Sequence, residues 1–132
     1  MAELFQLQII TPDKKFYKGE AQMVELTTTE GQIGVYARHI PLTAVVAPGV
    51  LRIHEKEGVK EAALMSGFLQ VMPDQVTIMA EVAEWPEEID ANRAKEAKTR
   101  AERRLQSHDA ELDVSRAELA LKRALVRLEV GK

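Results

Sequence analysis

The chain is expected to fold as an all-β sandwich followed by a C-terminal two-helix antiparallel hairpin, with the sandwich over residues 1–85 and the hairpin over 86–132. Three observations predict this. Gly, Pro and Asp punctuate residues 3–84 at short intervals, with brief apolar runs between them, the pattern of many short strands in a sandwich or barrel. After Trp85-Pro86, residues 87–106 contain no Gly or Pro and are rich in Ala, Glu, Lys and Arg, which are strong helix formers. A second stretch of that kind, over about 111–130, ends at Gly131, a common helix terminator.

The strands follow in order. Phe5, Leu7 and Ile9 alternate with Gln6 and Gln8, the period of a half-buried strand. Thr11-Pro12-Asp13 is a turn, and residues 22–28 are a second strand. Glu30-Gly31-Gln32-Ile33-Gly34 is read as a turn carrying two glycines. Residues 41–46, the tight turn Pro48-Gly49 and residues 50–53 form strand, turn and strand. Glu57-Gly58 separates these from a strand over 59–65. Gly67 interrupts the next, 68–72, and Pro73-Asp74 turns into the last, 75–82. Trp85 stands at the junction, where it is expected to pack the hairpin onto the sandwich.

In the first helix Pro86 suits the opening turn, where its missing N–H is no loss. Glu87, Glu88 and Asp90 set negative charge at the positive end of the helix dipole. Ile89, Ala94, Ala97, Ala101 and Leu105 form a narrow apolar stripe. The turn is placed at Ser107-His108-Asp109, and the spacing of Ser115 and Glu118 matches a capping box that would mark a later start for the second helix. Ala117, Leu121, Ala124, Leu125 and Leu128 form that helix's apolar face. The facing alanines Ala94, Ala97 and Ala101 against Ala117, Ala120 and Ala124 make a small-residue seam. Alanine buries little apolar area at about 25 cal/mol per Å², so such a seam is reversible.

Charge and composition narrow the function. Residues 1–86 carry 7 Lys and Arg against 11 Asp and Glu, a net of −4. Residues 87–132 carry 11 against 10, a net of +1. The slight overall negative charge argues against a general attraction to nucleic acid. There is no cysteine, which excludes disulfides, thiolate metal sites and cysteine nucleophiles. The first residues lack the basic and apolar regions of a signal peptide, and no run approaches the ~20 apolar residues of a membrane-spanning helix. His39, His54 and His108 are far apart without metal-ligand spacing. No phosphate-loop glycine pattern or nucleophile elbow is present. Ser66-Gly67 reads as packing and His39 as a surface loop residue.

The arginines are the remaining signal. Arg93 and Arg100, seven apart, share a helix face to within roughly 20°, with Asp90 and Glu96 expected to satisfy them in part. Arg123 and Arg127, four apart, have no acidic residue three or four positions away in their own helix. Like charges at that spacing cost about 0.2–0.5 kcal/mol. Arginine forks match phosphate and carboxylate oxygens alike, so this pair points to an external anion. Against that, a charge run on a helix is usually a solvated face, and a cation near a C-terminus is favourable by itself.

The segment Glu30-Gly31-Gln32-Ile33-Gly34-Val35-Tyr36-Ala37-Arg38-His39-Ile40-Pro41-Leu42-Thr43, followed by Pro48-Gly49-Val50-Leu51, resembles the epsilon subunit family of F-type ATP synthases. Ile9, Thr11-Pro12 and Ser66-Gly67-Phe68 also fit it. Ile89-Asp90-Ala91-Asn92-Arg93-Ala94 is similar to the family's nucleotide motif, I/L-D-x-x-R-A, and Arg100, Arg123 and Arg127 fall where ATP-binding, bacillus-like members carry arginines. The resemblance runs through the whole chain in order.

It implies a non-catalytic rotor subunit of a proton-translocating ATP synthase, peripheral at the cytoplasmic face of the cell membrane. The sandwich would bind the gamma subunit and stand on the ring of c subunits, with Glu30, Gly31, Gln32, Arg38 and His39 facing the ring. No cofactor is required. ATP would be a regulatory ligand held by Glu84, Ile89, Asp90, Arg93, Ala94, Arg100, Arg123 and Arg127 in a compact hairpin. With ATP gone, the helices would extend into the alpha/beta catalytic hexamer and block hydrolysis, the same arginines then meeting carboxylates. Asp90 also has a simpler reading as a helix cap. The alternatives are a purely structural rotor coupler without nucleotide sensing, and a nucleotide sensor outside any rotary complex. A freestanding enzyme has least support, since no acid–base constellation is present.

Overall fold

The structure, a computed structural model, describes residues 3–107 and 113–131. Ten strands precede the helices: β1 (Phe5–Ile10), β2 (Lys15–Ala21), β3 (Met23–Thr28), β4 (Gly31–Tyr36), β5 (Leu42–Val46), β6 (Gly49–Glu55), β7 (Gly58–Leu64), β8 (Gly67–Val71), β9 (Gln75–Ala80) and β10 (Ala83–Glu84). They form one sheet in the order β10-β7-β6-β3-β5-β8-β9-β1-β2, with β4 beside β3. The β3–β5 join is a single pair, Thr28 with Val46. There the sheet folds over into two layers, β4-β3-β6-β7-β10 and β5-β8-β9-β1-β2. All pairings are antiparallel except β1 with β9.

Between the layers lie Leu7, Ile9, Val24, Leu26, Val35, Val46, Leu51, Ile53, Leu64, Leu69 and Ile78, all within 2% of full burial. Their period of two along each strand is what drives the layers together, at about 1.5–3 kcal/mol per large side chain. Tyr17 of β2 donates its hydroxyl to Glu55 of β6 at 2.6 Å, tying the two layers at one edge. Burial and that hydrogen bond raise the Tyr17 phenol far above its ordinary pKa.

Three strands escaped sequence reading, β2, β4 and the two-residue β10. β2 interleaves Lys15, Lys18, Gly19 and Glu20 with its buried Phe16 and Tyr17, which hides the alternation. β4 takes up four of the residues expected in a glycine turn, Gly31, Gln32, Ile33 and Gly34; the turn itself lies at Thr29-Glu30, and Gly31 (φ 122°) supplies the left-handed conformation that follows it. Gly67 packs where expected, since a Cβ there would run into the Met79 carbonyl across the strand pair. Strands β5 and β6 do not pair with each other across Pro48-Gly49. They diverge, β5 to β8 and β6 to β7.

The helices are α1 (Ala91–Gln106) and α2 (Val114–Val130), preceded by a 3-10 turn, Pro86–Glu88. The first helix begins four residues later than expected. Asp90 is its N-cap, accepting the backbone N–H of Asn92 and Arg93 at 3.1 and 3.2 Å. Glu87 and Glu88 therefore belong to the separate 3-10 turn. Asp113, not Ser115, caps α2 through the Arg116 N–H at 3.0 Å. Ser107 closes α1, while His108, Asp109 and Glu111 fall outside the described residues.

The α2 face is the main correction. Ala117 and Ala124 are buried, and so are Val126 and Val130, whereas Leu125 is 45% exposed and Ala120 is exposed. At roughly 100° per residue, Val126 lies on the opposite side of the helix from Ala117. Thus α2 is gripped from two sides, by α1 against its alanines and by the sheet against its valines. Val126 and Val130 form a second small core with Ala63, Met65, Val50 and Ile89. This explains three successive buried residues, Ala62, Ala63 and Leu64, at the end of β7: one face meets the sandwich core, the other meets α2. Among the described residues, Trp85 has its ring partners in the sandwich. It stacks on Phe16 at 4.3 Å between centroids and packs on the sandwich core.

Candidate functional site

Near the end of α2 the structure brings Arg127 to Glu84 and Ile89 to Val126, Val130 and Gly131. Arg123 and Arg127 project between the two gripped sides of α2, at roughly 80–120° from Ala117 around the helix. Arg127 Nε donates to Glu84 Oε1 at 2.7 Å, with both side chains about a third exposed. Glu84 is available there because β10 pairs with the end of β7, the strand on which α2 sits. The arginine thus has an internal partner 43 residues away, where none was visible within its own helix. Arg123 differs. It is half-buried, and its Nε is enclosed with no hydrogen-bond partner among the described residues.

Around this pair, Ile89 packs with Val126 and Val130 and lies against Gly131, which sets the start of α1 beside the end of α2 and fixes the hairpin as antiparallel. Ala94 is buried. The Asp90 carboxylate is committed through Oδ1 to the helix cap. Arg93 and Arg100 are exposed, and no ion pair of the described residues includes them. The expected partial satisfaction by Asp90 and Glu96 is therefore absent: Asp90 faces backbone N–H groups, and an exposed guanidinium gains little from a surface pairing. Among the described residues, Arg93 and Arg100 on α1 are exposed and outside any ion pair, the enclosed Arg123 Nε on α2 has no hydrogen-bond partner, and Arg127 is already engaged.

At the other expected site, Glu30, Gly31, Gln32 and Arg38 are exposed and His39 is half-buried. Arg38 holds φ 61° and pairs with Glu3 at 3.0 Å. The His39 ring Nδ1 lies 2.7 Å from the Ile40 carbonyl oxygen. The two groups stand at opposite ends of β4, roughly 17 Å apart along a six-residue strand. Since β4 pairs only with β3, its outer edge connects them.

A third feature was not expected. On the outside of the β5-β8-β9-β1 layer, Val45, Phe68, Met79 and Ile10 stand in register as a cross-strand row. Phe68 is 53% exposed and Val45 and Met79 nearly as much. The row lines a shallow apolar groove of about 510 Å³ with Pro12 and Gly67. The alternation of β8 and β9 held the signal: Phe68 and Met79 fall on the outward-facing positions. Among the described residues no group of His, Asp and Glu is placed to hold a metal ion, and no helix is long and apolar enough to cross a membrane.

The described residues form a two-layer β sandwich with an appended helical hairpin. Two family models partition the chain: the beta-sandwich domain of the ATP synthase delta/epsilon chain over residues 4–86, and its long alpha-helix domain over residues 87–132. The chain belongs to the ATP synthase delta/epsilon chain family, and is a subunit of that complex without catalytic activity of its own. It is 48% identical over 126 residues to the ATP synthase epsilon chain of Halalkalibacterium halodurans, covering 95% of each chain. It is 44% identical over 133 residues to that of Clostridium kluyveri, covering 100% of each. Among solved structures, a chain in the Euglena gracilis mitochondrial ATP synthase assembly of OSCP, F1 and c-ring superposes with a TM-score of 0.83 at 26% identity, covering 96% of this chain and 79% of that one. A chain of the Tetrahymena thermophila central stalk and c-ring shares the fold, with a TM-score of 0.72 at 15% identity, over 99% and 98% of the two chains.

Proposed function

We propose that this chain is the central-stalk epsilon subunit of a membrane-bound, proton-translocating ATP synthase, and that its hairpin senses ATP. ATP favours the closed hairpin. Without it, the helices leave the sheet, rise toward the alpha/beta hexamer and inhibit hydrolysis. The observation that carries the nucleotide reading is the enclosed Arg123 Nε with no hydrogen-bond partner among the described residues. A buried donor left unmade costs about 1–3 kcal/mol, and an anionic ligand seated beside Arg123 and Arg127 removes that cost. Arg93 and Arg100 on α1 are unpaired and can supply further charge, while Ile89 and Ala94 shape the wall and Glu84 orients Arg127. A ligand that binds only the closed form stabilises it by RT ln(1 + [L]/Kd). Asp90 contributes by starting α1 at the right residue, and its Oδ1 is already used in doing so.

The apolar row Val45-Phe68-Met79-Ile10 suits the gamma subunit, since a contiguous exposed apolar strip on a small protein marks a contact surface. The c-ring contact falls on the edge of β4, the one line that joins Glu30, Gly31 and Gln32 to Arg38 and His39. The chain then lies at the cytoplasmic face of the cell membrane by way of the complex, which couples ATP synthesis to ion transport.

A second reading, a structural coupler without nucleotide sensing, is favoured by one observation: Arg127 is already paired with Glu84. Calorimetric titration of ATP into the isolated chain separates the two. Saturable one-site binding, abolished in Arg93→Ala/Arg123→Ala, supports sensing. Absence of heat at millimolar ATP leaves the coupler.

A further inference from the structure

In the segment joining sandwich to helices, Trp85 and Glu88 are tied to the sandwich side. The Trp85 ring stacks on Phe16 of β2, 4.3 Å between centroids with the planes 15° apart, and meets Tyr17 edge-on at 6.4 Å. The Glu88 carboxylate reaches back over the 3-10 turn. Its Oε1 accepts the Trp85 backbone N–H at 2.8 Å, and its Oε2 faces Lys14 Nζ at 3.4 Å. The Trp85 N–H, and after it Lys14, hold this carboxyl below the usual carboxylate range. The N–H groups of Glu88 and Ile89 donate to the carbonyls of Trp85 and Pro86. Among the described residues, every hydrogen-bond, ion-pair and ring partner of Trp85 and Glu88 lies in the sandwich or in the turn itself.

Asp90 belongs to the other body, because its side chain caps α1 and its carbonyl accepts the Ala94 N–H. Between them the backbone is extended, with φ −88° and ψ 128° at Ile89 and φ −89° and ψ 101° at Asp90. The Ile89 N–H bonds backward and the Asp90 carbonyl bonds forward. Rotation about ψ of Ile89 and φ of Asp90 therefore breaks neither.

We propose that Trp85–Pro86–Glu87–Glu88 is a fixed mount that stays on the sandwich, and that the helical arm pivots at the Ile89–Asp90 linkage. This rests on the reading of the hairpin as a detachable arm. The contacts given up in the swing are those α2 makes: Val126 and Val130 against Ala63, Met65, Val50 and Ile89, Gly131 against Ile89, and Arg127 against Glu84. The aromatic stack is retained, so the base of the arm stays in place while its direction changes.

Trp85 is the sole tryptophan and there is no cysteine, so one chain can report both motions. Spin labels on Lys18→Cys and Lys95→Cys measure the distance from sandwich to α1, and Trp85 emission with acrylamide quenching measures the mount. The arm is released in two independent ways, Val126→Asp/Val130→Asp and Arg127→Glu. Phe16→Ala calibrates a lost stack as a red shift with stronger quenching. The expected result is a longer, broader label distance with Trp85 emission and quenching unchanged. A lengthened distance together with the Phe16→Ala signature overturns the pivot while leaving the detachable arm intact. An unchanged label distance in both release variants overturns the arm and the pivot together.

Discussion

Arg123→Met puts the role of the orphaned guanidinium to a crossed test. Methionine keeps the unbranched stem and the helix propensity of arginine but removes the enclosed Nε–H that lacks a partner among the described residues. The unmet donor costs about 1–3 kcal/mol, and the lower part of that range applies because Arg123 is only half-buried. Loss of the like-charge pair with Arg127 adds about 0.2–0.5 kcal/mol. Without nucleotide, the closed hairpin should therefore gain roughly 1–2 kcal/mol, slowing amide exchange in α2 by about five- to thirtyfold where exchange proceeds by opening of the hairpin. With ATP the effect reverses. A lost charge-assisted hydrogen bond of about 1.5–3 kcal/mol weakens binding by roughly ten- to a hundredfold. Hydrogen exchange and calorimetry on the same preparation measure both. Faster exchange in the variant without ATP would show that the guanidinium has a favourable partner in the free protein. Unchanged ATP affinity would remove Arg123 from the site.

Other outcomes follow from the same geometry. Asp90→Ala should cost about 1 kcal/mol through loss of the α1 cap, seen as faster exchange at the start of α1, while Asp90→Asn should keep the cap; ATP affinity retained in Asp90→Asn would make the cap the residue's whole contribution. Phe68→Glu should leave the thermal unfolding of the free chain nearly unchanged, because the side chain is exposed, yet abolish co-purification with the gamma subunit. The Glu88 carboxyl has its pKa lowered in the fold, so its contribution is present above its unfolded pKa and lost as pH falls through the folded value. Acidification should therefore perturb Trp85 emission before global unfolding, and Glu88→Gln should remove that step.

Sequence reading reached the candidate site unevenly. Asp90 was legible both as a cap and within its motif, because each depends on neighbours one to four residues away. The pairing of Arg127 with Glu84 was not, because it needs β10 laid beside β7 and α2 laid across β7. Periodicity correctly placed Ala117 and Ala124 in the seam. It also placed Ala120 in the seam and Leu125 on the apolar face of the second helix, and both are exposed, since a single apolar stripe presumes a single contact face. Val126 and Val130 are buried because the sheet grips α2 from the far side, and no pattern within α2 specifies where that second wall stands.

By itself the sequence determined the order of the parts: a strand-rich region with alternating apolar residues, a breaking Trp85-Pro86, and two alanine-rich helices. Those features are local, set by period, propensity and turn chemistry over a few residues. Only the tertiary structure decided that β4 spans a supposed turn, that Val45, Phe68, Met79 and Ile10 align into one outward row, and that the Arg123 Nε is enclosed without a partner among the described residues while Arg127 is held. Each of these depends on strand register or on burial by residues distant along the chain, and such long-range pairings are set by the global packing of the core.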